Sequence, residues 1–316
     1  MDLDYYNPSR YGFPFSSLRN GCVRVFRLTH CYLSMPPAGS VSSGVRFPSL
    51  RSLCLYHVPL TEAMLSDLMM GCVNLEVLCL QECCRLNNFH ICSSSLRELT
   101  LEHFTGHCGS VDISAPNLRS LTTILFKVDH IRDSSLSRAK VCFLYKLEHY
   151  SRWSKVVRFL GNVQHLAVQN WWFKLLVTKD GFSGSFLLHS LKYLELQTGY
   201  SKPDLLGIAA LLEISPNLET MILDNHIEVD EETIEESIKE SEKFITPINL
   251  NLPSLRHFKM KSFMGTEEER DFVMLLRKSQ VVIEKVIIIC VKLPGSSFSP
   301  LVLVKEPQGF QIYHSL

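Results

Sequence analysis

The sequence predicts an α/β solenoid, in which short strands stack side by side into a curved parallel sheet with helices along its convex side. Three observations favour this fold class. A short pattern of apolar residues recurs along most of the 316 residues. A turn signal, such as "PSL", "PNL" or "SSL", precedes many of the copies. Segments with helical signals lie between several of them.

Each copy carries three apolar residues, separated by three and then two positions, as in Leu50, Leu53 and Leu55. Most copies start 21 to 28 residues after the one before, and the two longer steps of 45 and 37 residues fit a degenerate missed copy or insertions. A period of about 20 to 29 residues is typical of leucine-rich repeats. The clear copies start at Leu50, Leu75, Leu96, Val163, Leu191 and Leu218, and the looser ones at Val23, Leu118, Leu255 and Ile283.

Within a predicted strand, the second and third apolar residues alternate with polar ones and therefore point to the same side. One such unit cannot bury its own apolar side, whereas a stack of units builds a continuous core. The polar residues between the leucines would then line the opposite, concave face.

Three helices are predicted between strands. Thr61 is a candidate N-cap for a helix that Gly71 ends, and a second helix spans 151–161. A third starts at Pro203 and ends before Pro216. Their apolar faces include Leu65, Leu68 and Met69 in the first helix and Trp153, Val156, Val157 and Leu160 in the second.

The cysteines raise the alternative of a zinc site, because Cys79, Cys83, His103 and His107 form a Cys-x3-Cys and His-x3-His pair. However, 19 residues separate the two pairs, where a zinc finger has about 12. Cys79 also lies between two core leucines and faces outward, whereas Cys83 falls where the repeat wants an inward Asn or Cys. A structural role is therefore favoured, and no metal or cofactor is predicted.

Composition excludes several other functions. Lys plus Arg and Asp plus Glu number 32 each, which gives no electrostatic basis for nucleic acid or an anionic membrane. No stretch reaches the roughly 20 apolar residues of a membrane span, and the first residues do not resemble a signal peptide. Scattered cysteines indicate a cytoplasmic or nuclear protein. Without a phosphate loop, H-E-x-x-H or G-x-S-x-G, no enzyme is predicted.

An acidic run at residues 227–244 interrupts the array. A solvated, partly helical insertion is the favoured interpretation, and a site for a cation or basic partner is the alternative. The array is predicted to cover residues 1–250.

A different unit follows at residues 251–293, with a tail at 294–316. A strand from Leu255 to Met260 leads to Thr266 and Glu269, which form a capping box. The helix carries Phe272, Leu275 and Leu276 as an apolar stripe, with Arg277 and Lys278 in its last turn, and an apolar strand from Val281 to Val291 closes the unit. Such a unit would shield the end of the repeat core.

"LRHFKMKSFMGTEEERDFVMLLRKSQVVIEKVII" resembles the FBD domain at the C-terminus of plant F-box proteins with leucine-rich repeats, and "FPSLRSLCLYHVPL" resembles their early repeats. The resemblance implies an FBD cap and the target-binding part of an SCF-type ubiquitin ligase receptor. In that family an F-box holds a Skp-type adaptor. Only 22 residues precede the first repeat, and none resembles an F-box, so the chain is expected to begin mid-array and adaptor binding is not expected.

The sequence thus predicts a non-catalytic module that binds a protein whose identity it does not reveal. Two alternatives stay open. The first is a small-molecule or hormone co-receptor whose pocket is lined by Tyr56, Tyr193, Trp171 and Trp172, and the second is a truncated remnant or decoy of a full-length F-box protein. The predicted partner-binding residues on the concave face are Tyr56, Gln81, Glu98, Glu102, His165, Gln169, Tyr193, Glu195, Asp224 and Lys259.

Overall fold

The structure is a computed structural model of the chain. It divides into two compact units, Met1–Leu144 and Tyr145–Leu316, called unit 1 and unit 2 below. The residues it describes are 12–14, 22–34, 47–83, 86, 88–102, 111–124, 128–132, 135–142, 160–169, 187–225, 253–278, 283–290, 301–306 and 309–314.

The repeated leucines form the core, as the sequence predicts. In the copy that starts at Leu50, all three apolar residues are at most 1% exposed. The copies that start at Leu75, Leu96 and Leu191 are buried to the same degree. Burying a leucine side chain stabilises a fold by about 1.5–3 kcal/mol, so these rows supply much of the driving force for stacking.

Unit 1 contains eleven strands and one helix among its described residues. Strands β2, β4, β5, β7, β9 and β11 pair side by side in that order and all run parallel. The elements are β1 Gly12–Pro14, β2 Val25–Thr29, β3 Tyr32–Ser34, β4 Ser52–Tyr56, α1 Glu62–Gly71, β5 Val77–Gln81, β6 Phe89–Cys92, β7 Glu98–Glu102, β8 Val111–Ser114, β9 Ser120–Ile124, β10 Val128–Arg132 and β11 Arg138–Cys142.

Helices do not follow every strand of unit 1. After β5, β7 and β9 the chain instead forms β6, β8 and β10, which make a separate three-stranded parallel sheet. The prediction of helices along the convex side is therefore only partly right. The reason lies in period-two alternation: Phe89 and Ile91 are at most 4% exposed and Val111 and Ile113 at most 1%, while the residues between them stay more open.

Strand β11 accounts for the long step of 45 residues. It pairs in register with β9, so that Ala139 lies beside Leu121 and Val141 beside Thr123. Leu136 and Val141 are at most 2% exposed and Ala139 is 5% exposed. A degenerate copy, Leu136-x2-Ala139-x-Val141, is therefore present here. It is hard to recognise in the sequence because alanine stands where the other copies have a second large apolar residue.

The turn signal before the strands has a clear role. In the copies that start at Leu75 and Leu118, the leucine N–H donates to the carbonyl three residues earlier at 3.0 Å, which closes a tight turn. The asparagine just before the leucine then joins neighbouring turns. Asn74 Nδ2 donates to the Pro48 carbonyl at 2.9 Å, and Asn117 Nδ2 to that of Ser94 at 2.7 Å.

Unit 2 continues the same scheme. Strands β12 to β16 pair in sequence order and run parallel, and β17 and β18 add antiparallel strands where a tail was predicted. The elements are β12 His165–Gln169, β13 Tyr193–Gln197, α2 Lys202–Glu213, β14 Thr220–Asp224, β15 His257–Phe263, α3 Glu267–Lys278, β16 Lys285–Cys290, β17 Leu301–Glu306 and β18 Gly309–His314.

The predicted helix starts agree with the structure. Thr61 Oγ1 accepts a hydrogen bond from Met64 N at 3.3 Å and caps α1, which ends at Gly71. Helix α2 begins at Lys202, one residue before the predicted start, and Asp204 Oδ2 accepts from Ser201 N at 3.0 Å. The second predicted helix, 151–161, lies almost wholly outside the described residues.

Helix α3 begins with the predicted capping box. Glu269 N donates to Thr266 Oγ1 at 3.3 Å, and Thr266 N donates to Glu269 Oε2 at 3.0 Å. Phe272 is fully buried, and its ring centroid lies 6.2 Å from that of Phe258 on β15. A strand–helix–strand unit, β15–α3–β16, is thus present at this position. The side chains of Arg277 and Lys278 lie outside the described set.

No helix within the described residues is long and apolar enough to cross a membrane.

Candidate protein-binding face

The candidate site is the side of each parallel sheet opposite the buried leucines, called here the exposed sheet face of unit 1 or unit 2. Strand alternation places every second side chain there. Because neighbouring strands pair in register, these side chains form straight rows across the sheet, about 4.8 Å apart from strand to strand.

In unit 1, three of the predicted partner-binding residues lie in one row. Tyr56, Gln81 and Glu102 are register partners on β4, β5 and β7. Gln81 Nε2 donates to Glu102 Oε2 at 2.5 Å, which orients both side chains. Tyr56 is 37% exposed, and Thr29 on β2 lies beside it as the next member of this row. Glu98 lies on the same face in a second row, beside Val77 and Ser120.

Cys54 and Cys79 occupy the row between these two and are direct register partners. Burial is the main cause that raises the pKa of the Cys79 thiol from 9.0 to about 12, and Cys54 and Glu102 add to the shift. Cys79 is therefore a weak nucleophile despite its partial exposure.

The predicted structural role of Cys83 is confirmed. Its side chain is fully buried, and its Sγ lies 3.6 Å from the carbonyl oxygens of Leu55 and Gln81, joining two neighbouring repeats. Cys79 and Cys83 thus face opposite sides of the sheet. His103 and His107 lie outside the described residues, and no group of three or more His, Cys, Asp or Glu side chains among the described residues is arranged to hold a metal ion.

Sequence reasoning missed a column of residues that follows the strands of unit 1. His30, His57 and Glu82 adopt left-handed φ angles of 51° to 53° directly after β2, β4 and β5. The rings of His30 and His57 stack with centroids 4.4 Å apart, and His57 Nδ1 lies 3.5 Å from Glu82 Oε2. These three residues lie next to the Tyr56 row, one position beyond the carboxyl ends of their strands. Their residue types give only a weak signal, because histidine is enriched among non-glycine residues at such φ angles but adopts them rarely, and glutamate has no such preference.

In unit 2 the exposed sheet face carries the other six predicted residues. His165 and Tyr193 are register partners with ring centroids 5.3 Å apart. Gln169 pairs with Gln197 at the other end of the same two strands. Lys259 lies two strands beyond Glu195, with Ile222 between them in the same row.

A charge network that links three strands organises this face. Lys261 Nζ on β15 reaches across β14 to hydrogen-bond Glu195 Oε1 on β13, and it lies 3.9 Å from Asp224 Oδ2. Ser262 Oγ donates to Asp224 Oδ1 at 3.0 Å. Burial lowers the pKa of Lys261, but the hydrogen bond and charge of Glu195 and the charge of Asp224 outweigh it and raise that pKa.

The same network affects its neighbours. Burial first, and then the charge of Glu195, raises the pKa of Tyr193 above 10.0, so its phenol stays neutral and able to donate a hydrogen bond. Ile222, an outward position, is only 8% exposed. The Lys261–Glu195 link passes across the strand that carries Ile222.

Sequence reasoning also missed a row of arginines at the amino ends of the unit 1 strands. Arg51, Arg97 and Arg119 line a cleft together with Glu76. A signal was present, because these residues share the position after the first leucine in "SLRSL", "SLREL" and "NLRSL".

The fold and the face define a class: a protein of stacked leucine-rich repeats that displays a regular polar and aromatic surface. The chain belongs to the family described as "At1g61320/AtMIF1, LRR domain", which matches residues 2–287. It is also similar to the F-box/LRR-repeat protein At3g03360 of Arabidopsis thaliana, with 29% identity over 241 residues.

That alignment covers 71% of this chain and 48% of the relative, so the chain spans about half the length of this curated relative. No solved structure matches the chain. A leucine-rich-repeat domain and an F-box/LRR-repeat relative together indicate a protein-interaction domain.

Proposed function

We propose that the chain is a non-catalytic protein-interaction module that holds a protein target on its exposed sheet faces. One observation carries the proposal: polar and aromatic side chains stand in register rows on strands that a buried leucine core fixes in place. Such a surface is already ordered before binding, so little side-chain freedom is lost when a partner docks.

The ten predicted residues contribute in different ways. Tyr56 and Tyr193 are aromatic side chains of the type enriched in binding hot spots. Gln81 and Glu102 in unit 1, and Glu195 and Asp224 in unit 2, hold each other or a lysine in fixed orientations. Fixed polar groups of this kind contribute specificity more than affinity.

The proposal extends to the setting of this module. The F-box/LRR-repeat relative and the resemblance of residues 251–293 to an FBD domain support a role as the substrate-recognition part of an SCF-type ubiquitin ligase, in the cytoplasm or nucleus. The proposed boundaries are a repeat array at 1–250 and an FBD-like unit at 251–293. The β15–α3–β16 unit supports the second boundary. Binding of a Skp-type adaptor by this chain is not part of the proposal.

The test compares the partners of three forms of the chain, expressed in plant cells and recovered with an affinity tag. The first is the unchanged chain, and the second carries Gln81→Arg and Tyr193→Arg. A third carries Asp67→Arg, an exposed position on α1 away from the exposed sheet face, as a control. Quantitative mass spectrometry then measures each protein recovered, including the Skp-type adaptor.

Loss of a recovered protein from the face variant, with retention in the control, is the expected result. If the face variant retains every partner, the exposed sheet faces are not the binding surface. Adaptor recovered in stoichiometric amount with the unchanged chain would show that the chain joins the adaptor, directly or through a partner.

The small-molecule alternative stays a prediction. Trp171 and Trp172 lie outside the described residues, while Tyr56 belongs to unit 1 and Tyr193 to unit 2.

A further inference from the structure

A cleft of about 220 Å³ lies at the amino-end edge of the unit 1 strands, not on the exposed sheet face. Its charged lining residues come from consecutive repeats. Glu76 N, Arg97 N and Arg119 N each donate to the carbonyl of the equivalent residue one repeat earlier, at 2.8 Å. Arg51, Glu76, Arg97 and Arg119 therefore occupy successive, equivalent steps of the same ladder.

The charges of this cleft do not balance. Three guanidinium groups and one carboxylate leave two net positive charges. Glu76 Oε1 pairs with Arg51 Nη1 at 3.1 Å. Within the described part of the chain, Arg97 and Arg119 have no acidic partner in ion-pair range. They directly precede the adjacent strands β7 and β9, which lie about 5 Å apart, so both can contact one anion.

The equivalent ladder in unit 2 shows what a balanced version looks like. Lys192 Nζ lies 3.0 Å from Glu219 Oε1, and Arg256 Nη1 lies 3.7 Å from Glu284 Oε1. Each cation there has its own carboxylate on the next strand. In the unit 1 cleft, by contrast, two arginines have no such carboxylate partner among the residues that the structure describes.

We propose that this cleft binds the phosphorylated side chain of a phosphoserine or phosphothreonine in a partner protein. Arginine pairs with phosphate through two parallel hydrogen bonds, and a phosphoserine carries about −1.5 to −2 charges at pH 7. That charge matches the two that the cleft leaves unpaired. Ser94 also lines the cleft, and its hydroxyl is a candidate hydrogen-bonding group for the phosphate.

The size and pattern of the cleft favour one side chain over larger anions. Pockets for drug-sized ligands have volumes of about 300–1,000 Å³, above that of this cleft. A nucleic-acid backbone needs a continuous basic stripe, and Glu76 interrupts the row. The inference does not rest on the proposed ligase role or on the exposed sheet face, so either can fail without the other.

Fluorescence polarisation of the full chain tests the proposal, with a pool of degenerate heptapeptides that carry a central phosphoserine and a matched serine pool. The phosphorylated pool is expected to bind more tightly. Arg97→Gln and Arg119→Gln should each weaken its binding by roughly tenfold, the value of one hydrogen bond to a charged group. Arg256→Gln, at the equivalent but paired position in unit 2, should leave binding unchanged.

Glu76→Gln should have the opposite effect on the affinity for the phosphorylated pool. It removes the carboxylate that offsets Arg51, so binding of the phosphorylated pool should tighten by roughly threefold. Equal binding of the two pools would overturn the proposal, as would unchanged binding by Arg97→Gln when thermal melting shows the variant folded. If inorganic phosphate at an equal concentration displaces the peptide, the cleft binds free phosphate rather than a phosphorylated side chain of a protein, and the proposal is wrong.

Discussion

The clearest single prediction concerns Glu269, a fully buried carboxylate in the first turn of α3. Its Oε2 accepts hydrogen bonds from the backbone N–H groups of Met264, Gly265 and Thr266 at 2.6 to 3.0 Å. Its Oε1 accepts from Asn225 Nδ2 at 3.1 Å. One side chain thus satisfies three backbone donors of the turn before α3 and joins that turn to the end of β14.

Glu269→Ala removes all of these acceptors at once. Hydrogen bonds to charged groups contribute about 1.5–3 kcal/mol each, but water can replace some of them, so the contributions do not add. Loss of a helix cap alone costs about 1 kcal/mol, and each buried donor left without an acceptor costs about 1–3 kcal/mol. The expected loss is therefore about 3–5 kcal/mol in the free energy of unfolding of unit 2.

Glu268→Ala is the matched control, because Glu268 lies in the same helical turn but is exposed. Its only expected loss is the interaction with the helix dipole, about 0.3–1 kcal/mol. Urea unfolding measures both variants, and hydrogen exchange of the amides at 264–266 localises the effect. If the two variants differ by less than about 0.5 kcal/mol, Glu269 does not hold this turn in the way described.

The pKa of the Cys290 thiol also depends on the charge of Glu269. Burial first, and then the charge of Glu269, raises the pKa of Cys290 above 9.0. Glu269→Gln removes the charge but keeps the side-chain size, so the pKa of Cys290 should fall. Alkylation of Cys290 at pH 8 should then become faster, whereas Glu268→Gln should leave the rate unchanged. No change in the Glu269→Gln rate would show that the charge does not reach the thiol.

Three further predictions concern single residues elsewhere in the chain. Thr123 is fully buried, and its hydroxyl has no hydrogen-bond partner among the described residues. Thr123→Val should therefore stabilise unit 1 by about 1 kcal/mol, measured by urea unfolding. A loss of stability would contradict this prediction. A Cβ at Gly199 would lie 2.6 Å from Asp204 Oδ2, so Gly199→Ala should lower the free energy of unfolding by about 1–3 kcal/mol. Gly12→Ala is the control and should be near neutral, because no atom lies within 4 Å of a Cβ placed there. Equal effects of the two substitutions would refute the clash. Burial raises the pKa of Cys72 from 9.0 to about 12, so the folded state favours the protonated thiol. This group should not affect the free energy of unfolding below pH 9, and it should lower it by up to about 1.4 kcal/mol per pH unit from pH 9 to 12. Cys72→Ala should remove this part of the pH dependence. The same pH dependence in the unchanged chain and the variant would contradict the raised pKa.

The strands could be predicted because their apolar spacing is both periodic and buried. Leu53, Leu78 and Leu99 follow the same spacing, and register pairing places them side by side. Strand β11 escaped a clear assignment because Ala139 gives a weak hydrophobic signal. The three-stranded sheet of β6, β8 and β10 was also missed, since strands of four or five residues resemble any short apolar run.

The candidate site was harder to derive from the sequence. Alternation places Glu195 and Asp224 on the exposed sheet face of unit 2, but it does not reveal that Lys261 reaches across a strand to join them. Likewise, the arginines of "SLREL" and "NLRSL" repeat in the sequence, but whether each has an acidic partner depends on which strands are neighbours. Side-chain reach between strands is a property of the fold, not of the spacing.

The central claim is that the exposed sheet face binds a protein, and differential amine labelling tests it most directly. The chain is labelled free and in complex with a partner recovered from plant cells, and two lysines of unit 2 are compared. Lys259 lies on the exposed sheet face, whereas Lys202 is exposed at the start of α2. The account predicts that the partner protects Lys259 and leaves Lys202 unchanged; protection of Lys202 with full labelling of Lys259 would contradict it.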